Sequence, residues 1–311
     1  MIEKWFKGIT RIVLILFIIF LTFVFALQSL VFISAFFGSA ADFKAMSSRG
    51  RIGVVSVGGI IYEIDRQLEQ LEQFERQKNI KAVLLEINSP GGLVGPSQEL
   101  SEAVKRVSEA GKPVIASVRS VGASGGYYIA SSADTIVSNP GAMVGSIGVI
   151  MEFMRVEEMM DKIGIDYEVV KSGQFKDLGS PFREMSGEER EVIGELIIDV
   201  YDQFIEHVAK MRDGLEVESL EDLADGRVFT GRQALEYKLV DVLGSRRDAV
   251  ELAAKAAGID REPLLVDPQK NSFGFLKSLS PLQMLFELWG RGTDTEFRLL
   301  YMMPGGAEQI D

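Results

Sequence analysis

The sequence predicts an α/β fold of repeated βαβ units around a largely parallel sheet, preceded by an N-terminal transmembrane helix. Three observations carry this. Short apolar runs of strand length alternate with stretches that repeat apolar residues at helical spacing. Strands separated by helices imply right-handed crossovers, which build parallel sheets. Ahead of them, residues 12–37 hold no charged side chain, a run longer than the roughly 20 residues a spanning helix needs.

The elements follow in order. Lys4, Lys7 and Arg11 precede the apolar run, so the positive-inside bias places residues 1–11 in the cytoplasm and the rest of the chain outside it. The small residues Gly38, Ser39, Ala40 and Ala41 offer a rival reading as a cleaved signal peptide. The apolar run is far longer than the central region of such a peptide, which favours an uncleaved single-pass anchor in the cell membrane. Residues 38–50 read as a linker. A strand is expected over 51–57, a helix over 64–77, and a buried strand over 82–88. Pro96 opens a helix reaching about residue 110, and a strand at 113–118 leads through a glycine turn to a helix at 124–131. Short strands are expected at 135–138, 146–151 and 167–171. A long amphipathic helix follows over 188–212, and a last helix over 246–257. Residues 51–260 thus read as the folded domain and 261–311 as a tail. The tail carries apolar pieces at 281–289 and 297–303, which could dock on a neighbouring subunit, the membrane or the substrate groove.

Composition narrows the function. The 311 residues carry a net charge of −12, which argues against nucleic acid as a partner, because phosphate binding needs a basic face. No cysteine is present, which removes disulfides, zinc-cysteine sites and a thiol nucleophile. One histidine without cysteines leaves no metal cluster of recognisable spacing, and no phosphate loop occurs. No metal and no cofactor are expected.

Three loops fall where such a sheet places chemistry, beyond the carboxyl ends of strands. In Asn88-Ser89-Pro90-Gly91-Gly92, paired glycines can point backbone N–H groups at one spot, as an oxyanion hole requires, or can simply form a Pro-Gly turn. In Ala123-Ser124-Gly125-Gly126, small neighbours let a substrate backbone approach Ser124, although a serine opening a helix is most often its N-cap. In Lys171-Ser172-Gly173-Gln174-Phe175-Lys176-Asp177, Lys176 is the candidate general base, because a lysine held neutral by burial can take a proton near neutral pH. Most lysines are solvated surface charges, and Asp177 beside this one would oppose the role. The sole histidine, His207, lies mid-helix among charged residues and reads as structural or as a surface residue.

Taken together with Gly145-Ser146-Ile147-Gly148-Val149 and with Asp225-Gly226-Arg227-Val228-Phe229-Thr230-Gly231, these motifs stand in the order seen in the signal peptide peptidase A family. The chain resembles its short, single-repeat form, a relative of the Clp protease/crotonase superfamily. The resemblance covers about residues 50–257 and implies a Clp protease/crotonase-like fold. It also implies a serine protease with a Ser-Lys dyad, with Ser124 as nucleophile and Lys176 as base. Gly91, with Gly92 as second donor, then matches the oxyanion hole, and Leu93 and Ser146 the substrate groove. The family's partners follow as expectations: hydrophobic peptides left from cleaved signal peptides, the membrane, and ring- or dome-shaped homo-oligomers in which a base on one subunit can serve a serine on the next. Two alternatives stay open. One is a related membrane protease that cleaves stomatin-like proteins. The other is a non-proteolytic crotonase-like protein that binds acyl thioesters, against which the outward-facing domain argues.

Overall fold

The computed structural model describes residue 22, residues 50–267 and residues 300–302. The expected segments 1–11, 12–37 and most of 38–50 lie outside the described residues, as do the tail pieces apart from 300–302. Among the described residues no helix is long and apolar enough to cross a membrane.

In chain order the elements are β1 (Arg51–Ile61), α1 (Asp65–Arg76), β2 (Ile80–Leu93), α2 (Val94–Glu109), β3 (Val114–Ala123), α3 (Gly125–Ser131), β4 (Thr135–Ser138) and β5 (Met143–Gly145). Then come α4 (Glu157–Ile163), α5 (Gly187–Met211), α6 (Val217–Glu221), β6 (Val228–Thr230), α7 (Gly231–Glu236), β7 (Val242–Leu243), α8 (Arg246–Ala256), β8 (Leu264–Val266) and β9 (Leu300–Met302). The mixed α/β architecture is as expected. The central run β5-β3-β2-β1-β8 is parallel, and β6 and β9 add antiparallel neighbours to β5 and β2.

Hydrophobic layers hold the sheet on both faces. On one, Ala249, Ala253 and Ala254 of α8 meet Ile52, Val54, Ala82, Leu84, Ile115 and Val137, small residues letting the helix lie close to the strands. On the other, α1, α2, α3 and α5 bury a larger core, to which Leu71 and Phe74 of α1 contribute roughly 1.5–3 kcal/mol each. The helix periodicity over 64–77 is therefore one buried stripe. Ser186 starts α5 with a reciprocal cap: its hydroxyl accepts the Glu189 N–H while the Glu189 carboxylate accepts the Ser186 N–H.

Two expected strands are corrected. The strand expected at 146–151 forms at Met143–Gly145 instead, because β5 must pair with Val121–Ala123 of β3 before the chain turns at Ser146. Residues 167–171 form no strand, since they lie exposed with no neighbouring strand to bond. A β-rich composition supplies side chains for a strand, whereas the partner has to come from the fold.

The sheet's forks locate the site. The first half of β3 pairs with β4 and its second half with β5. Likewise β2 pairs with β3 through Ile87, slips in register before Ser89, and at Gly91–Leu93 pairs with β9. The pairing of β2 with β3 ends at Ser89 and Gly122, two residues ahead of Ser124.

Candidate active site

Ser124 is the single residue between β3 and α3. Its backbone stands at φ 51°, ψ −119°, which a side-chain-bearing residue holds only when its surroundings impose it, at a cost on the order of 1–3 kcal/mol. Two hydrogen bonds impose it here: the Ser124 N–H donates to the Gly145 carbonyl at 2.7 Å, and its carbonyl accepts the Tyr128 N–H at 2.8 Å. The corner thus opens α3 with backbone, and the hydroxyl makes no capping bond. That corrects the N-cap reading of the side chain. Ser124 is 1% exposed and its Oγ has no hydrogen-bond partner. An unsatisfied buried hydroxyl costs about 1–3 kcal/mol, an expense that functional sites tolerate.

The other expected residues gather along the same edge. Ser146 follows the carbonyl that receives the Ser124 N–H and shares its left-handed φ of 51°; it is 4% exposed, with its N–H given to Arg227. Gly92 pairs with Ile61 so closely that a Cβ would lie 2.2 Å from the Ile61 carbonyl oxygen, so no larger residue fits there. Gly91 is buried with its N–H bonded to Ser89 Oγ at 3.1 Å, and half-buried Leu93 ends β2.

Lys176 is placed differently. It is exposed, on the segment between α4 and α5, and it is not within hydrogen-bonding distance of Ser124 Oγ in the single chain. Asp177, feared as its neighbour, is engaged elsewhere: Lys171 Nζ binds Oδ1 at 2.6 Å and Arg183 Nε binds Oδ2 at 2.9 Å. Hydrogen bonds from Arg183 and Lys171 hold the Asp177 carboxyl well below the usual carboxylate range. Arg183 also grips Glu189, whose carboxyl falls to about 2. The segment carrying Lys176 is therefore clamped to the start of α5, with the charge of the adjacent carboxylate balanced by Lys171 and Arg183. Around it Met154, Met159, Ile163, Ile165, Val170 and Phe175 face solvent, Val170 at 95% exposure.

His207 serves structure, as its setting suggested. Its ring stacks on Tyr128 at 4.0 Å, and Nε2 shares hydrogen bonds with Ser101 and Ser132, each 3.2 Å away. Burial lowers its pKa to about 4, and the same burial pushes Tyr128 up to about 12. No cluster of potential metal ligands occurs among the described residues. Clefts of about 570 and 510 Å³ are lined by other residues than Ser124. Ser89 is the residue that sequence reasoning passed over: it stood inside a quoted motif, but only its glycines were weighed.

A strained serine at a strand-to-helix corner, just past the last paired residues of two parallel strands, marks the class: an α/β protein with a candidate nucleophile at Ser124. Residues 106–260 match peptidase family S49. A provisionally named protease from Synechocystis sp. is 43% identical over 223 residues, covering 71% of this chain and 79% of that one. A protein from Enterococcus faecium, provisionally named signal peptide peptidase SppA, is 33% identical over 245 residues, 75% and 71% of the two chains. The chloroplastic serine protease SPPA of Arabidopsis thaliana is 33% identical over 221 residues, 70% of this chain but 32% of the longer one. The chain belongs to peptidase family S49 and is SppA-like.

Proposed function

We propose that this chain is a membrane-anchored serine endopeptidase with a Ser124-Lys176 dyad that degrades remnant signal peptides and other hydrophobic peptides. The carrying observation is Ser124 itself: a buried hydroxyl with no partner, held in strained backbone at the end of a parallel strand. Such a hydroxyl is poised to meet an incoming group. In the reaction, neutral Lys176 takes the Oγ proton as Oγ bonds to the peptide carbonyl carbon, and the carbonyl electrons move onto oxygen, where the Gly92 backbone N–H receives them, the Gly91 N–H being held by Ser89 Oγ. Collapse breaks the C–N bond, and the lysine returns the proton to the departing amine. Water then releases the acyl group by the same route.

How a peptide would lie is suggested by β9, which runs antiparallel along Gly91–Leu93 with Met302 opposite Gly91. A substrate strand adding there would gain main-chain hydrogen bonds next to Ser124. The base would come from a second copy: exposed apolar side chains flanking Lys176 form a patch that soluble monomers seldom leave open. A homo-oligomer covering it would bury Lys176, and burial favours the neutral amine. An anchor at residues 12–37 would hold the assembly at the membrane, catalytic domain outside the cytoplasm.

The test compares wild type with Ser124→Ala, Lys176→Ala and Ser146→Ala for fluorophosphonate labelling and cleavage of a hydrophobic peptide. The first two should lose turnover by at least about 10³-fold, with only wild type and Ser146→Ala labelling well. Cleavage by Ser124→Ala, or its loss in Ser146→Ala alone, overturns the assignment.

A further inference from the structure

Ser89 joins the two halves of the candidate site. It is 0% exposed, and its Oγ donates to the Gly59 carbonyl at 2.6 Å while accepting the Gly91 N–H at 3.1 Å. Both partners sit where the β1–β2 ladder is irregular: the register slips between Gly58 and Ile60, and Ile60 pairs with Gly91. Gly91 itself stands at φ 111°. On its other side Ser89 pairs with Gly122 of β3, ahead of Ser124. Its backbone also abuts the nucleophile's helix, since a Cβ on Gly126 would lie 2.7 Å from the Ser89 carbonyl oxygen.

The hydroxyl is thus used in both senses. Its proton goes to β1 and its lone pair holds the first amide of the glycine turn. No other side chain bonds either group among the described residues, so removing this oxygen takes away the side-chain partner of both. The Gly91 amide then loses its side-chain anchor, and the Gly91–Gly92 peptide, which hinges on it at a glycine of φ 111°, loses that constraint on its orientation.

We infer that Ser89 is a positioning residue for peptide cleavage, its hydroxyl setting the orientation of the Gly91–Gly92 peptide relative to Ser124 and so the placement of the Gly92 N–H as oxyanion donor. The inference rests on the peptidase reading above. It separates Ser89 from mere packing, because a misoriented donor weakens the tetrahedral state and leaves the extended substrate bound as before.

The experiment uses the full chain as wild type, Ser89→Ala and Ser89→Cys. It measures kcat and KM on a hydrophobic peptide, affinity for a peptide aldehyde that adds to Ser124 Oγ, and affinity for the matching peptide alcohol, which cannot. Ser89→Ala should lower kcat about 10- to 100-fold with KM within about twofold, and weaken the aldehyde by a similar factor but not the alcohol. Ser89→Cys, which keeps the volume and a weak acceptor, should fall between, and it supplies the same comparison if the alanine variant does not fold. Wild-type kcat in both variants, or aldehyde and alcohol weakened together, overturns the Ser89 role alone. A wild type that neither cleaves nor binds aldehyde at Ser124 overturns the peptidase reading and this inference with it.

Discussion

Ser124 and His207 show how one chain treats two buried polar groups in opposite ways. Ser124 Oγ is left without a partner at a strained corner, whereas His207 is enclosed by Tyr128, Ser101 and Ser132. The histidine has a measurable consequence. Burial depresses its pKa from 6.5 to about 4, outweighing the Tyr128 backbone bond and Glu102, which raise it, while Lys105 and Lys210 lower it further. Between those values the unfolded chain binds a proton that the folded chain refuses. Stability should therefore be full above about pH 6.5 and fall as pH drops toward 4, by up to about 3 kcal/mol. Urea unfolding from pH 7.5 to 4.5 should show that slope in wild type and a nearly flat profile in His207→Gln; parallel profiles would clear His207. Nothing at this scale was hidden by composition: a lone histidine in a chain with a candidate nucleophile was visible, and only its neighbours were not.

At the scale of elements, β2 and β3 stop pairing at Ser89 and Gly122, and β9 lies along the Gly91–Leu93 end of β2. An edge strand with unpaired amides invites another strand, and a tethered one competes at an effective concentration near millimolar. A chain ending at Asp267 should then cleave short hydrophobic peptides with KM lowered by roughly 3- to 10-fold and kcat little changed. Unchanged steady-state kinetics would show that β9 does not compete with substrate. The strands at the core of this arrangement were legible because fully buried parallel strands read as continuous apolar runs, as Ala82 to Leu85 do. The short strands β6, β7 and β8 were not, for they run two or three residues and owe their form to the neighbours they bond. The misplaced strand at 146–151 has the same origin, since pairing with β3 decides where β5 ends.

For the whole molecule, the exposed apolar segment that carries Lys176 is the feature to account for. If a neighbouring copy covers it and supplies the base, Ser124→Ala and Lys176→Ala chains, each inactive alone, should regain activity when mixed during assembly. Random mixing in equal amounts pairs an intact serine with an intact lysine at about a quarter of the sites. Recovery near that level supports a dyad shared between subunits. A mixture as inactive as its parents, at a size where oligomers are confirmed by sedimentation, would place the dyad within one chain.

The sequence by itself determined the alternating architecture and the strand-to-helix corner at Ser124, because each is written in local pattern: apolar runs, helical spacing and residues small enough for tight turns. Tertiary structure alone decided that Ser124 keeps its hydroxyl free, that Ser89 holds the Gly91 amide, that the charge of Asp177 is balanced by Lys171 and Arg183, and that Lys176 stands exposed in the single chain. These depend on which distant groups meet, and burial, hydrogen-bond partners and local charge are properties of that meeting rather than of any residue's place in the chain.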